Sequence, residues 1–136
     1  MVTALLLAPG WVGAAIDLRT RRIPNWLTAT AMLVAIAVAA ASGDLLAAVA
    51  GGALAFTIGV MIASVARGAF GGGDVKLMAY AGAATGLGGV VPFLFWMSLA
   101  GGLLALGALA VHRRRGVTMP YGPAIAAGLT LTLLLA

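Results

Sequence analysis

Cysteine is absent from the 136 residues, so neither a disulfide framework nor a thiolate zinc site can be built from this chain. Acids are scarce as well: three Asp and Glu stand against eight Lys and Arg, with one histidine, and charged residues make up 8% of the whole. With 63% hydrophobic residues and a mean hydropathy of +1.15, so few charges could not cover the apolar surface of a soluble domain. That leaves an integral membrane protein. Backbone polar groups in lipid must be satisfied internally, and a leucine, alanine and glycine composition without alternation favours an all-α polytopic bundle over a barrel. The opening run, Met1 to Gly10, has no basic stretch ahead of it, and reads as a first span and not as a cleaved signal.

The charges that are present count the spans. Arg19, Arg21 and Arg22 form one basic group, Arg67 and Lys76 a second, and His112 with Arg113, Arg114 and Arg115 a third. Placing all three groups on the cytoplasmic side requires an even number of spans between neighbours. Between the first two lie the apolar runs Pro24 to Ala41 and Leu45 to Ala66, broken at Ser42-Gly43-Asp44, which make one hairpin. Between the second and third, Leu77 to Val111 is about 35 uncharged residues, roughly 50 Å of helix against a hydrocarbon core of about 30 Å. Gly86-Leu87-Gly88-Gly89, followed by Pro92, offers the turn that divides it. Val2 to Ile16 and Pro120 to Ala136 supply the outer runs, so six transmembrane helices with both termini outside are expected, in a compact bundle.

Small residues set how tightly such a bundle closes. Gly82 and Gly86 form a small-xxx-small pair, and Gly51, Gly52, Gly59, Gly101, Gly102 and Gly107 allow neighbouring backbones to approach. No internal repeat or linker divides the chain, so residues 1–136 are expected to form a single transmembrane domain.

The three acids separate by position. Asp44 sits in the Ser42-Gly43-Asp44 turn on the non-cytoplasmic side, where capping the third helix accounts for it. Asp17 falls at the cytoplasmic end of the first helix, where the backbone dipole disfavours a carboxylate; it either pairs with Arg19, Arg21 or Arg22 or does something more. Asp74 follows Gly71-Gly72-Gly73 and either caps the fourth helix or stands at a loop stripped of side chains. Three glycines permit positive φ and let another backbone come close, and that backbone could be a substrate's. The topology thus puts Asp17 and Asp74 on one face and excludes the remaining acid.

These residues carry a resemblance. Asp17-Leu18-Arg19-Thr20-Arg21-Arg22-Ile23-Pro24-Asn25-Trp26-Leu27-Thr28 resembles the first aspartate motif of the prepilin peptidases, or type IV leader peptidases. Phe70-Gly71-Gly72-Gly73-Asp74-Val75-Lys76-Leu77 resembles their second, the glycine-x-glycine-aspartate signature of intramembrane aspartyl proteases. Pro120-Tyr121-Gly122-Pro123 is similar to the aromatic-Gly-Pro sequence that opens the family's last helix.

The resemblance implies a six-helix aspartyl endopeptidase that cuts the leader of prepilin-like precursors at the cytoplasmic boundary of the inner membrane, with Asp17 and Asp74 catalytic. Two carboxylates held close share one proton, so the ionised member can activate water while the protonated one hydrogen-bonds the scissile carbonyl. No cofactor and no metal is expected, and no nucleic acid partner. Gly71, Gly72, Gly73, Lys76, Pro24 and Asn25 are supporting candidates. Lys76 and Arg67 can equally snorkel to headgroups; Pro24 fits the first turn of the second helix; Asn25 orients the loop or is an ordinary interfacial residue; Trp26 reads as an interface anchor. His112 to Arg115 read as a topology signal with an attraction to anionic lipid.

Every cytoplasmic loop is basic, so recognition of a precursor with a basic leader is expected to come from its apolar helix lying in a lateral groove near Asp17 and Asp74. Family members that also N-methylate their substrates carry a cytoplasmic insertion with paired cysteines; the first loop here, Leu18 to Ile23, is too short for one, so a peptidase-only form is expected. Two other classes use the same residues: a small proton-coupled transporter with Asp17 and Asp74 as a relay, or a non-catalytic membrane subunit of a pilus or secretion assembly.

Overall fold

A computed structural model describes residues 1–112 and 119–136, and every regular element in them is an α-helix: α1 Val2–Thr20, α2 Asn25–Ser42, α3 Leu45–Val65, α4 Gly72–His112 and α5 Gly122–Leu135. The first four are long and apolar enough to cross a membrane; α5, at 14 residues, is shorter than a full span. The chain is an integral membrane protein with five helices among the described residues, where six spans are expected. Arg113 to Arg115 and the His112 side chain lie outside the described residues.

The difference in count lies in α4. Of the glycines in Gly86-Leu87-Gly88-Gly89 only Gly86 leaves helical geometry, at φ 69°, ψ 174°, so a single residue interrupts the helix in place of a four-residue turn. Contacts on either side show that the chain reverses there. Before the break, a Cβ on Gly59 would meet Val75 and one on Gly52 would meet Ala79 and Ala83, so α3 and residues 72–85 run antiparallel. The Tyr80 hydroxyl donates to the Leu6 carbonyl and Gly13 faces Leu77, so α1 is antiparallel to the same stretch. Gly10 faces Ala126 while Gly122 faces Asp17, which makes α5 antiparallel to α1. After the break, Gly128 faces Met97 and Gly101 faces Ala124, so residues 87–112 run antiparallel to α5 and hence to 72–85.

The closest helix contact is between α3 and the first half of α4. A Cβ on Gly51 would meet the Gly82 carbonyl oxygen and lie 2.6 Å from the Gly86 carbonyl carbon, and one on Gly82 would lie 2.5 Å from the Ala55 Cβ. No larger residue fits at either site. Gly102 and Gly107, by contrast, have nothing within 4 Å and bring no backbones together. The core between the helices is built on Tyr80, Phe93, Leu77, Met78, Ile125 and Leu129, all fully buried. This packing brings the C-terminal ends of α1 and α3 and the N-terminal ends of α2, α4 and α5 to one end of the bundle. The α2–α3 turn and Gly86 lie at the other.

Candidate functional site

Asp17 is placed by how α1 ends. Arg21 adopts the left-handed conformation that closes a helix, φ 53°, ψ 28°, and its N–H donates to the Asp17 carbonyl at 2.8 Å. The helix therefore runs through Leu18 and Thr20, and the connection to α2 is shorter than the expected loop of Leu18 to Ile23. Arg19, Arg21 and Arg22 are exposed, while the Asp17 side chain turns inward and is 6% exposed.

A carboxylate at the C-terminal end of its own helix meets an unfavourable dipole, and a second helix offsets it. The Gly122 N–H, in the first turn of α5, donates to Asp17 Oδ2 at 2.9 Å. First-turn N–H groups have no partner within their own helix and carry the positive end of its dipole, so Asp17 is held by α5 while belonging to α1. Only glycine allows this approach: a Cβ on Gly122 would lie 2.9 Å from Asp17 Oδ2 and 3.2 Å from the Ala14 Cα.

Asp74 is gripped in a parallel way by its own helix. It is the third residue of α4, half-buried, and its Oδ2 accepts from the Gly71 N–H at 3.0 Å, the acidic half of a capping box. The three glycines before it do not act alike. None has positive φ, contrary to the expectation; that conformation falls just earlier, at Arg67 (φ 46°) and Gly68 (φ 90°). A Cβ on Gly73 would lie 3.0 Å from the Ile23 Cβ, one on Gly71 would lie 3.7 Å from Asp74 Oδ2, and one on Gly72 would meet nothing within 4 Å.

Both carboxylates border the same two cavities. One, of about 330 Å³, is lined by Asp17, Asp74, Arg21, Arg22, Ile23 and the three glycines. The other, of about 230 Å³, is lined by Asp17, Asp74, Gly68, Ala69, Pro120 and Tyr121, among others. An open approach with two acids on its wall, backed by backbone donors and rimmed by arginines, has the parts for proton exchange with a bound water and substrate.

The other candidates lie farther out. Lys76 is two residues beyond Asp74, about 200° around the helix, and its Nζ donates to Asn25 Oδ1 at 2.7 Å, tying α4 to the start of α2. Pro24 is not in the first turn of α2 but precedes it as the N-cap, φ −63°, ψ 139°, with its carbonyl accepting from the Leu27 N–H at 3.2 Å. Trp26 is exposed beside them. A shallow apolar groove of about 430 Å³, lined by Asn25, Lys76, Met32 and Phe56 among others, opens on this side and shares no lining residue with the carboxylate cavities. Asp44 is at the opposite end, on a separate cavity with Leu6 and Gly86; it holds the N-cap position of α3 but makes no side-chain capping bond.

Sequence reasoning missed the Gly122 N–H as the partner of Asp17, and missed what flanks it. Phe70 and Tyr121 each directly precede a glycine whose N–H grips a carboxylate, and their rings meet edge to face, centroids 5.2 Å apart at 63°. The available signal was a glycine between an aromatic and Pro123 at a helix start, where a missing side chain marks a close approach.

Residues 4–106 match the model of the type IV leader peptidase family. The prepilin leader peptidase/N-methyltransferase of Bacillus subtilis (strain 168) is 35% identical over 85 residues, covering 62% of this chain and 34% of that protein. The chain thus spans about a third of the length of that relative. No solved structure matches.

Proposed function

Because this chain belongs to the type IV leader peptidase family, we propose that it is an aspartyl endopeptidase that cleaves the leader of prepilin-like precursors, with Asp17 and Asp74 as its two catalytic carboxylates. The observation that carries the reading is that these acids come from different helices yet border the same two cavities, each accepting from the N–H of a glycine. The pair holds one proton between them. The ionised carboxylate takes a proton from water as the water oxygen attacks the scissile carbonyl carbon, and the protonated one donates to the carbonyl oxygen. Collapse of the tetrahedral intermediate breaks the C–N bond, and the leaving amine takes up a proton.

The wider reading follows the same contacts. Reversal at Gly86 supports six membrane segments in one domain spanning residues 1–136, with both termini on the side of Asp44. Arg19, Arg21, Arg22, Arg67 and Lys76 all belong to the end that carries Asp17 and Asp74, which supports a cytoplasmic site in the inner membrane. Both acids sit at helix ends, which favours hydrolysis at the boundary over a proton path through the bilayer centre. The short connection after α1 leaves no room for a cysteine-bearing insertion and supports peptidase activity without methyl transfer. Gly71, Gly72 and Gly73 keep the approach to Asp74 free of side chains, and Lys76, Asn25 and Pro24 support the site from the α2 side.

Co-expression with a prepilin-like precursor, followed by intact-mass measurement, tests the assignment. The expected result is loss of the leader mass with the wild-type chain and none with Asp17→Asn or Asp74→Asn, each folded and in the membrane. Cleavage by either variant at the wild-type rate would overturn it.

A further inference from the structure

Around the two carboxylates, two short sequence pieces repeat one arrangement: an aromatic residue, then a glycine whose N–H donates to an aspartate Oδ2. Phe70-Gly71 serves Asp74 at 3.0 Å, and Tyr121-Gly122 serves Asp17 at 2.9 Å. The two pieces are about 50 residues apart in sequence, on the approach to α4 and at the start of α5, yet the aromatic rings are in edge contact at 5.2 Å. Phe70 is 4% exposed, so this contact belongs to the core.

We propose that the Phe70–Tyr121 ring pair is a positioning device, which fixes the two glycine N–H donors relative to each other and through them sets the geometry of Asp17 against Asp74. The proposal rests on the peptidase reading for its kinetic consequence, but its geometric content does not. Asp17 accepts from α5 and not from its own helix, so any shift of the α5 N-terminus relative to the 66–71 segment moves the donor that holds Asp17 away from the one that holds Asp74. The ring contact joins those two pieces at the residues adjacent to the donors. An edge-to-face pair prefers a particular approach of the two rings, which an aliphatic contact of similar size does not impose. Tyr121 also lines the smaller carboxylate cavity, which places the device at the wall of that cavity without making either ring a reacting group.

The test uses the full-length protein in membranes, with Tyr121→Phe, Tyr121→Leu, Phe70→Leu and the double Leu variant. Tyr121→Phe retains the edge contact and is expected to keep kcat at least about fivefold above that of either single Leu variant. Each Leu variant is expected to lose about tenfold in kcat with KM for the precursor changed less than about twofold, as misplacement of catalytic groups requires. The double variant is expected to be no worse than either single one, because one contact is removed in all three. Multiplying effects, or Leu variants that cleave within twofold of wild type, would overturn the proposal. Infrared spectra of the carboxyl C=O stretch, assigned with Asp17→Asn and Asp74→Asn, give a readout free of cleavage: the band is expected to shift in Tyr121→Leu and Phe70→Leu and not in Tyr121→Phe. An unshifted band in both Leu variants would overturn the device whether or not the chain proves to be a peptidase. Should one Leu variant fail to fold, the other carries both measurements.

Discussion

Each end of the bundle carries an aspartate near a helix start and a cavity, and the two ends hold their acids differently. At the far end Asp44 is exposed, makes no side-chain capping bond, and borders a cavity of about 280 Å³ whose remaining lining is mostly alanine, glycine and aliphatic side chains. At the other end Asp17 is buried and Asp74 half-buried, each is gripped by a backbone N–H, and arginines rim the cavity they share. Desolvating a carboxylate is costly, and backbone donors offset that cost only where the fold has been arranged to deliver them. The far end spends nothing of the kind on Asp44.

Breaking that contrast gives the largest expected effect. Asp17→Asn or Asp74→Asn should lower the cleavage rate about 10²–10⁴-fold, the range associated with loss of a positioned acid or base, whereas Asp44→Asn should leave it within about twofold. Rates on a single precursor, measured at matched membrane levels of the three variants, check this. A comparable loss in Asp44→Asn would erase the distinction between the two ends.

The next effect is on folding and concerns the contact that connects the ends. Gly51→Ala and Gly82→Ala each drive a methyl group against backbone or the Ala55 Cβ, in helices that cannot separate without undoing α3 against α4. A loss of about 3 kcal/mol is expected for either, against almost none for Gly107→Ala, where nothing lies within 4 Å. Thermal unfolding in detergent distinguishes them. Gly122→Ala should cost less stability, about 1–2 kcal/mol, but should also lower the cleavage rate, because its methyl group falls 2.9 Å from Asp17 Oδ2. Activity falling in step with stability alone would argue against a specific hold on Asp17.

Which of these features the sequence disclosed depends on how local their cause is. The hairpin of α2 and α3 was legible because Gly43, at φ 84°, ends a helix by its own conformational freedom and the apolar runs on each side are uninterrupted. The assignment of Asp17 and Asp74 to one end was legible because the arginines and lysine mark that end independently of packing. The position of the break in α4 was only partly so. Three glycines lie within Gly86 to Gly89, and what selects Gly86 is the close approach of Gly51, Gly82 and Ala47 on neighbouring turns, which no local pattern records. Likewise the partner of Asp17 is 105 residues away, and the tendency of a helix start to attract a carboxylate does not say which carboxylate arrives. For Asp44 the local pattern misleads: a turn aspartate at an N-cap position suggests a side-chain bond, and this one makes none.

The smallest effect sharpens the comparison within the site itself, among glycines that the sequence presents as equivalent. At Gly73 a methyl group would press on the Ile23 Cβ at 3.0 Å, so Ile23 and the connection it anchors must give way, and Gly73→Ala should cost about 1 kcal/mol. At Gly72 the space is open and φ is not positive, so alanine in the first turn of α4 should be neutral or slightly stabilising, by up to about 1 kcal/mol, through the lower entropy of its unfolded chain. Paired unfolding curves for the two variants decide this. If Gly72→Ala is as costly as Gly73→Ala, the glycines act as one flexible unit; a cost at Gly73 alone means that Gly73 is a packing residue and Gly72 is not.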